Sequence, residues 1–431
     1  MRPGLSARLR WQGFRLLDRV ARGGSIAAPP LALNGGAQEA VWLFISTIGE
    51  LNATEPLLRA LATQTGGLRW VILTDRRIYR EAYAARFPDA DIVEIGDGLD
   101  EAATLARLRP PRLFLITEIP VLPADAPCRL SYAWLHEAGR HGAPIALVNG
   151  WRYGYAPSCR SDAVERQLLG RDWLSRFSLL GVQNEQVAQA LREHGAPASK
   201  IVVTGNMKFD ALDRRDWQPS QARSPALLAQ LVDGARPTVV AGCVTDADEQ
   251  ALILDAFVTL RQRRPDARLV IAPRHPENPD VMRNLAAACA ARALHAQLRS
   301  TLGDAPLSES VDCLVLDTMG ELKDFYAAAA VAHVGRNHNI LEPLAFSRPV
   351  TVCEGWEPTY PSYPVYAGLA EAGALDEVRD GADLAGAWQR RLESAPAGHA
   401  DHVRAALERA RGATARTLAA LQPLLQSALR G

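Results

Sequence analysis

From about residue 40 onward the chain alternates short apolar runs with longer stretches rich in Ala, Leu and Arg. The runs "VWLFIS", "LRWVILT", "ADIVEI", "RLFLIT" and "PIALVN" come first, and "FSLLGVQ" and "KIVVTGN" follow. Runs that are apolar throughout, rather than alternating, predict strands buried on both faces. Strand and helix taking turns predict a parallel sheet covered by helices on each side. After the polar stretch "DRRDWQPSQARS", residues 213–224, the pattern restarts with "RPTVVAGC", "ARLVIAP", "DCLVLD", "AVAHVG" and "RPVTVCE". Two such halves predict an α/β protein of two doubly wound, Rossmann-like domains facing a cleft, with ligands at the carboxyl ends of the strands. The expected division is a basic helix over 1–25, one domain over 26–212 and a second over 213–431. The final stretch, "HADHVRAALERARGATARTLAALQPLLQSAL", is helical in pattern and free of proline until Pro423. It is expected to close the second domain and can cross back to the first.

The N-terminus, "LSARLRWQGFRLLDRVARGG", has a different character. At the helical period Leu5, Leu9, Leu16 and Val20 share one face and Arg8, Arg15, Arg19 and Arg22 a flank, with Trp11 and Phe14 on other sides. Residues 5–22 suit the headgroup region of an anionic membrane, and equally a basic helix packed on the protein's own surface. No apolar stretch approaches the ~18 residues that span a bilayer.

Composition adds mainly exclusions. At 431 residues and 48% hydrophobic, the chain is too long for one ordinary core. Lys plus Arg and Asp plus Glu both number 48, so no bulk field favours nucleic acid and any anion site is local. The six cysteines lie far apart with no metal-ligand spacing and no secretory pattern upstream. A reduced, cytoplasmic protein without structural zinc is expected.

Candidate chemistry gathers at strand ends. In the second half, "VVAGC" leads into "VTDADEQA", "LVIA" into "PRHPEN" with Arg274 and His275, "LVL" into "DTMGEL" with Met319, Gly320 and Glu321, and "VAHVG" into "RNHNILEP" with Asn339 and Glu342. Each compact polar turn feeds a helix whose first N–H groups are free for a phosphate, so together they predict a nucleotide site. Taken singly the pieces have plainer readings: Asn339 and Glu342 resemble a capping pair, and a lone His275 or His338 is more often a structural hydrogen-bonder. In the first half, "FISTIGELNA" puts Glu50 where a strand turns into a helix. A carboxylate there is stabilised by the helix dipole by about 0.3–1 kcal/mol and needs no catalytic role, and the dipole is expected to depress its pKa.

The segments "STIGELNATEPLL", "QNEQVAQALREHGAPASKIVVTGNMKFD", "LVIAPRHPE", "DTMGELKDFYAAAAVAHVG" and "HNILEPLAFSRPV" resemble, in order and spacing, the 3-deoxy-D-manno-octulosonic acid (Kdo) transferase family. The resemblance runs from about residue 40 to about residue 430. It implies a GT-B glycosyltransferase that moves Kdo from CMP-Kdo onto lipid A precursors at the bacterial inner membrane, with inversion and with no metal or other cofactor. It makes Glu50 the general base, Arg274 a phosphate contact, Met319 and Gly320 the lining of the nucleotide pocket, and Asn339 and Glu342 ligands of the phosphate and ribose. His275 and Glu321 fall within the same motifs. Ser46, Gly49, Glu118, Asn149 and Arg152 are the corresponding acceptor-side candidates.

The chain also departs from that family. "ITEIPVLPAD" keeps Thr117 and Glu118 but lacks the family's first acid and tryptophan, and "VNGWRYGYAPSC" keeps Asn149 with Arg152 displaced by one. "CVTDADE" replaces a Ser-Thr-His-x-Gly-Glu segment, and the glycine-rich loop is cut to "VGRNHN". These changes leave open a different lipid or glycan acceptor and a CMP-linked keto sugar related to Kdo. A CMP-sugar-binding homologue with altered catalysis and a nucleotide-sugar 2-epimerase are the alternatives. The expected location is cytoplasmic, peripheral on the inner membrane.

Overall fold

A computed structural model describes residues 5–21, 33, 35–96, 98–119, 122–126, 128–157, 160–212, 218–233, 236–360, 362–393 and 396–430. The chain forms two compact units, residues 1–211 with 410–431, and residues 212–409.

The first unit is built on β1 (Ala40–Phe44), β2 (Arg69–Thr74), β3 (Asp91–Glu94), β4 (Pro111–Thr117), β5 (Ile145–Gly150), β6 (Leu179–Val182) and β7 (Ile201–Val203). All pairs are parallel, in the order 3-2-1-4-5-6-7. All five residues of β1 are buried, as an all-apolar run requires. Trp42 and Phe44 pack with Phe114 and Trp134 on one face. Val41 and Leu43 pack with Leu57, Leu58 and Leu61 on the other.

The second unit carries β8 (Thr238–Val244), β9 (Arg268–Pro273), β10 (Ala296–Leu298), β11 (Cys313–Val315), β12 (Val331–Val334), β13 (Val350–Cys353) and β14 (Asp376–Val378). They form a second parallel sheet in the order 10-11-9-8-12-13-14. The edge strands β10 and β14 have only three residues each and are partly exposed, so they lack the apolar run that marks the others.

The closing helix crosses back to the first unit instead of closing the second. Ala413–Arg430 packs on the first unit, where Leu421 and Leu425 join the cluster of Val41, Leu57 and Leu61. Arg112 donates to the Ala428 carbonyl at 2.9 and 2.7 Å, and Asp210 accepts from the Gly412 and Thr414 backbone at 2.7 and 2.5 Å. The second domain therefore ends near residue 409, not 431. The physical reason is burial: each fully buried Leu stabilises by about 1.5–3 kcal/mol, and the apolar stripe of this helix meets its complement on the first sheet.

The N-terminal helix is Leu5–Ala21; Arg22 and the rest of the expected 1–25 segment lie outside the described residues, as do residues 213–217 of the expected boundary. Trp11 and Phe14 are buried, and Trp11 meets Tyr132 edge-on at 5.3 Å. Arg10 forms a two-point pair with Asp172 at 2.9 and 2.8 Å. Among the described residues five cysteines are free, and Cys159 lies outside them.

Candidate active site

In the first unit the site grows from the turn after β1. Thr47 caps the helix Ile48–Gln64, its hydroxyl oxygen accepting from the Glu50 backbone at 3.3 Å, while the same hydroxyl donates to Glu50 Oε1 at 3.2 Å. Glu50 is thus a helix-start residue, as one reading of the turn has it. It is also only 3% exposed. Glu50 Oε2 accepts from the Ser46 backbone at 2.9 Å and from the Thr117 hydroxyl at 3.0 Å. Burial, then the charge of Glu118, push the Glu50 carboxyl up to about 8, against the three hydrogen bonds that favour its ionised form. The expectation that the helix dipole depresses this group is overturned, because desolvation outweighs it.

Glu118 and Asn149 have left-handed backbones, with φ of 56° and 55°. For non-glycine residues this is uncommon and is held here by side-chain bonding. Asn149 donates to Glu118 Oε1 at 2.8 Å and accepts from the Met207 backbone at 2.9 Å. The Tyr153 hydroxyl donates to Glu118 Oε2 at 2.9 Å, and Lys208 Nζ lies 3.7 Å from Oε1. Three donors thus surround the Glu118 carboxylate, and its charge is the second cause that raises Glu50.

Of the acceptor-side candidates, Glu118 and Asn149 join Glu50 in one cluster. Ser46 borders it, but its hydroxyl is engaged with Asp75 at 2.7 Å and Arg76 at 3.3 Å. Gly49 is exposed in the first turn of the helix, and a Cβ there would meet nothing nearer than 3.8 Å. Arg152 is exposed and not part of the cluster.

In the second unit Arg274 follows β9 and is exposed, donating to the Tyr360 hydroxyl at 3.3 Å. His275 pairs with Glu277 at 3.0 Å on the surface. His338 is pushed down to about 4 by burial and by the nearby Arg274, which places the 336–342 turn beside the Arg274 loop. Asn339 accepts from the Leu341 backbone at 3.2 Å and donates through its side chain to Glu342 at 3.3 Å, but Ile340 and not Asn339 is the N-cap of the helix Leu341–Ala345, so the two residues pair without forming the expected capping box. Burial raises the Glu342 carboxyl, while Asn339 and Lys323 oppose the rise. Met319 is 70% exposed, and Gly320 has φ of 86°, a left-handed turn suited to glycine.

Glu321 departs from the expectation of a nucleotide contact. It is buried, pairs with Arg299 at 2.9 Å and accepts from the Thr318 hydroxyl at 3.2 Å. Its carboxylate is committed to a guanidinium that also contacts Ser224, so it braces the Met-Gly turn from within.

The chain is 31% identical over 422 residues to a 3-deoxy-D-manno-octulosonic acid transferase of Bordetella pertussis, covering 94% of this chain and 91% of that protein. The chain belongs to the Kdo transferase family. A second relative of the same name, from Haemophilus influenzae, is 25% identical across 88% of this chain and 83% of its own. The family model for 3-deoxy-D-manno-octulosonic-acid transferase (kdotransferase) matches residues 128–211, the stretch holding Asn149, Tyr153 and Lys208.

Among solved structures, a UDP-GlcNAc 2-epimerase from Neisseria meningitidis aligns with a TM-score of 0.59 at 14% identity, over 91% of this chain and all of that one. The calicheamicin glycosyltransferase CalG4 aligns at 0.51 with 16% identity, over 90% and 99%. At these identities the likeness is one of fold, the GT-B type, and a Kdo transferase sharing it with epimerases is no argument for epimerisation.

Two residues of this Kdo transferase's first unit escaped the sequence reading. Lys208 lies inside the quoted "GNMKFD" segment, a signal that was present. Tyr153 lies in "NGWRYGYAP", where nothing local tells which ring turns inward.

Proposed function

We propose that this Kdo transferase moves Kdo, or a closely related keto sugar, from a CMP-linked donor to a hydroxyl of a lipid or glycan acceptor in bacterial lipopolysaccharide assembly, with Glu50 as base. The observation that carries the reading is the Glu50 carboxyl, buried beside the charge of Glu118 and raised to about 8 at the carboxyl end of β1. A base that titrates near working pH combines a usable ionised fraction with the basicity needed to take a hydroxyl proton.

In the transfer, the acceptor oxygen bonds to the anomeric carbon as the bond from that carbon to the CMP phosphate breaks. The attacking hydroxyl gives its proton to Glu50, CMP leaves with the negative charge, and the configuration inverts. Arg274 and the backbone N–H groups of the turns at Gly320 and Asn339 are donors suited to the charge growing on the phosphate. The step needs no metal or other cofactor.

Peripheral attachment to the inner face of the bacterial inner membrane fits the N-terminal helix. Leu5, Leu9, Leu16 and Val20 are 76%, 65%, 65% and 74% exposed, while Trp11 and Phe14 tie the opposite side to the protein. An apolar stripe flanked by arginines and anchored from behind suits an anionic lipid surface. No helix among the described residues is long and apolar enough to cross a membrane.

The test is mass spectrometry of mixtures of the protein, CMP-Kdo and a panel of lipid A precursors and glycans. The expected result is an acceptor gaining one Kdo, with CMP released, and a Glu50→Gln chain slower by about 10²-fold or more. CMP binding without product on any acceptor would favour a sugar-binding homologue. A Glu50→Gln rate within a few-fold of the parent would remove Glu50 as base.

A further inference from the structure

Three side chains that the transfer does not use converge in the interior of the second unit. Glu249 stands in the first turn of the helix Ala247–Arg261, His333 in β12 and Cys353 at the end of β13. A carboxylate oxygen, a ring nitrogen and the thiol sulfur lie within 4.8 Å of one another, and all three residues are buried.

The hydrogen bonds around His333 suit a ring protonated on Nδ1. The Thr351 hydroxyl donates to the Ala332 carbonyl at 3.1 Å and accepts from Trp388 Nε1 at 3.1 Å. With that proton on the carbonyl, Thr351 accepts from His333 Nδ1, 3.1 Å away. Nε2 is then left with its lone pair, buried and without a hydrogen-bond partner. A buried acceptor without a donor is the exception that asks for an explanation.

Glu249 is oriented as firmly. Its Oε2 accepts from the Thr245 backbone at 2.7 Å and its Oε1 from the Arg336 backbone at 3.2 Å, leaving lone pairs and no proton to offer. The Arg336 guanidinium faces the Cys353 sulfur, and Asp246 lies near.

We propose that Glu249, His333 and Cys353 form a structural site for a divalent cation of the zinc type. Imidazole, thiolate and carboxylate are the donor set of such ions, whereas magnesium and calcium take oxygen alone. Ligand atoms about 2.0–2.3 Å from one tetrahedral ion stand roughly 3.3–3.8 Å apart, so a small inward movement completes the site. On loading, Cys353 releases its proton, and the carboxylate and thiolate together offset the two charges of the ion. Water or another small donor takes the fourth position.

The surroundings are those a metal site uses: Thr351 holds the other ring N–H of the histidine, backbone N–H groups hold the carboxylate, and Arg336 is placed to donate to the thiolate. A cysteine nucleophile does not fit, because the ring is oriented by a hydroxyl and the thiol is buried. The site would tie the turn after β8 and the end of β13 to the end of β12. The spacing of cysteines in the sequence hid it, since its ligands come from three separate elements.

The whole protein, stripped with a chelator and kept reduced, is titrated with Co²⁺. Expected are tetrahedral visible bands and a near-ultraviolet thiolate-to-cobalt band, saturating at one equivalent and displaced by Zn²⁺. In Cys353→Ser the near-ultraviolet band should vanish and Co²⁺ affinity should fall at least about tenfold, as loss of a ligand requires. Zn²⁺ should raise the Tm of the parent chain and not that of Cys353→Ser. Absence of the thiolate band in the parent overturns the proposal whatever the variants do. Retention of the band in Cys353→Ser or in His333→Gln also overturns it, by placing the metal elsewhere.

Discussion

The Thr117 hydroxyl stands 3.0 Å from Glu50 Oε2 and, on its other side, 3.0 Å from the carbonyl oxygen of Phe44. One proton serves two acceptors. Thr117 can donate to the carbonyl while a protonated Glu50 donates to it, or turn its proton to an ionised Glu50. The strand end therefore accommodates both forms of the carboxyl, which is what a group that gains and loses a proton during turnover requires.

The pH dependence follows from Glu50, whose carboxyl titrates at about 8 in the folded chain against an ordinary 4.5. Between those values the native state holds a proton that the unfolded chain releases. The contribution of Glu50 to stability is complete below the ordinary value and is lost as pH rises through the folded one. Urea unfolding across that window should show stability falling with pH, with a shallower slope in Glu50→Gln. Turnover should rise over the same range as the base ionises, so kcat/KM and stability are expected to move in opposite directions.

Arg274→Ala should weaken CMP binding by about 10- to 100-fold, the scale of losing a charge-assisted hydrogen bond to phosphate. Calorimetry on parent and variant measures it. Unchanged affinity would take the phosphate contact away from Arg274.

Glu321 and Arg299 separate bracing from contact. Removing one partner of a buried ion pair leaves the other charge without compensation and costs about 3–5 kcal/mol. Arg299→Ala should therefore lower the Tm sharply, and Glu321→Gln should lower it more than it affects CMP affinity in the molecules that remain folded. A Glu321→Gln chain with native Tm and much weaker CMP binding would restore the ligand contact.

For the N-terminal helix the two faces predict opposite outcomes. Leu9→Glu with Leu16→Glu should leave Tm unchanged and reduce sedimentation with anionic vesicles, because both side chains are exposed. Trp11→Ala should cost about 3–5 kcal/mol as a buried aromatic truncation. Binding by the parent should also weaken as salt rises, through screening of the arginines. Vesicle binding equal in parent and double variant would leave the helix as ordinary protein surface.

Much of this protein was determined by local sequence. Fully apolar runs such as "VWLF", alternating with helical stretches, predict strands covered on both faces, so the central strands of the two parallel sheets and the turns at their carboxyl ends follow from patterning, and with them the placing of Glu50, Arg274, Gly320 and Asn339. Three things needed the tertiary structure. The helix Ala413–Arg430 joined the first unit because its apolar stripe matched a surface made by residues hundreds of positions earlier. The pKa of Glu50 was decided by burial and by Glu118, brought alongside only when β4 paired with β1, whereas the sequence showed only the helix start and pointed the other way. Glu321 turned inward because Arg299, from another element, closed over it. Burial and charge pairing are sums over neighbours that folding assembles from distant segments, and no local window contains them.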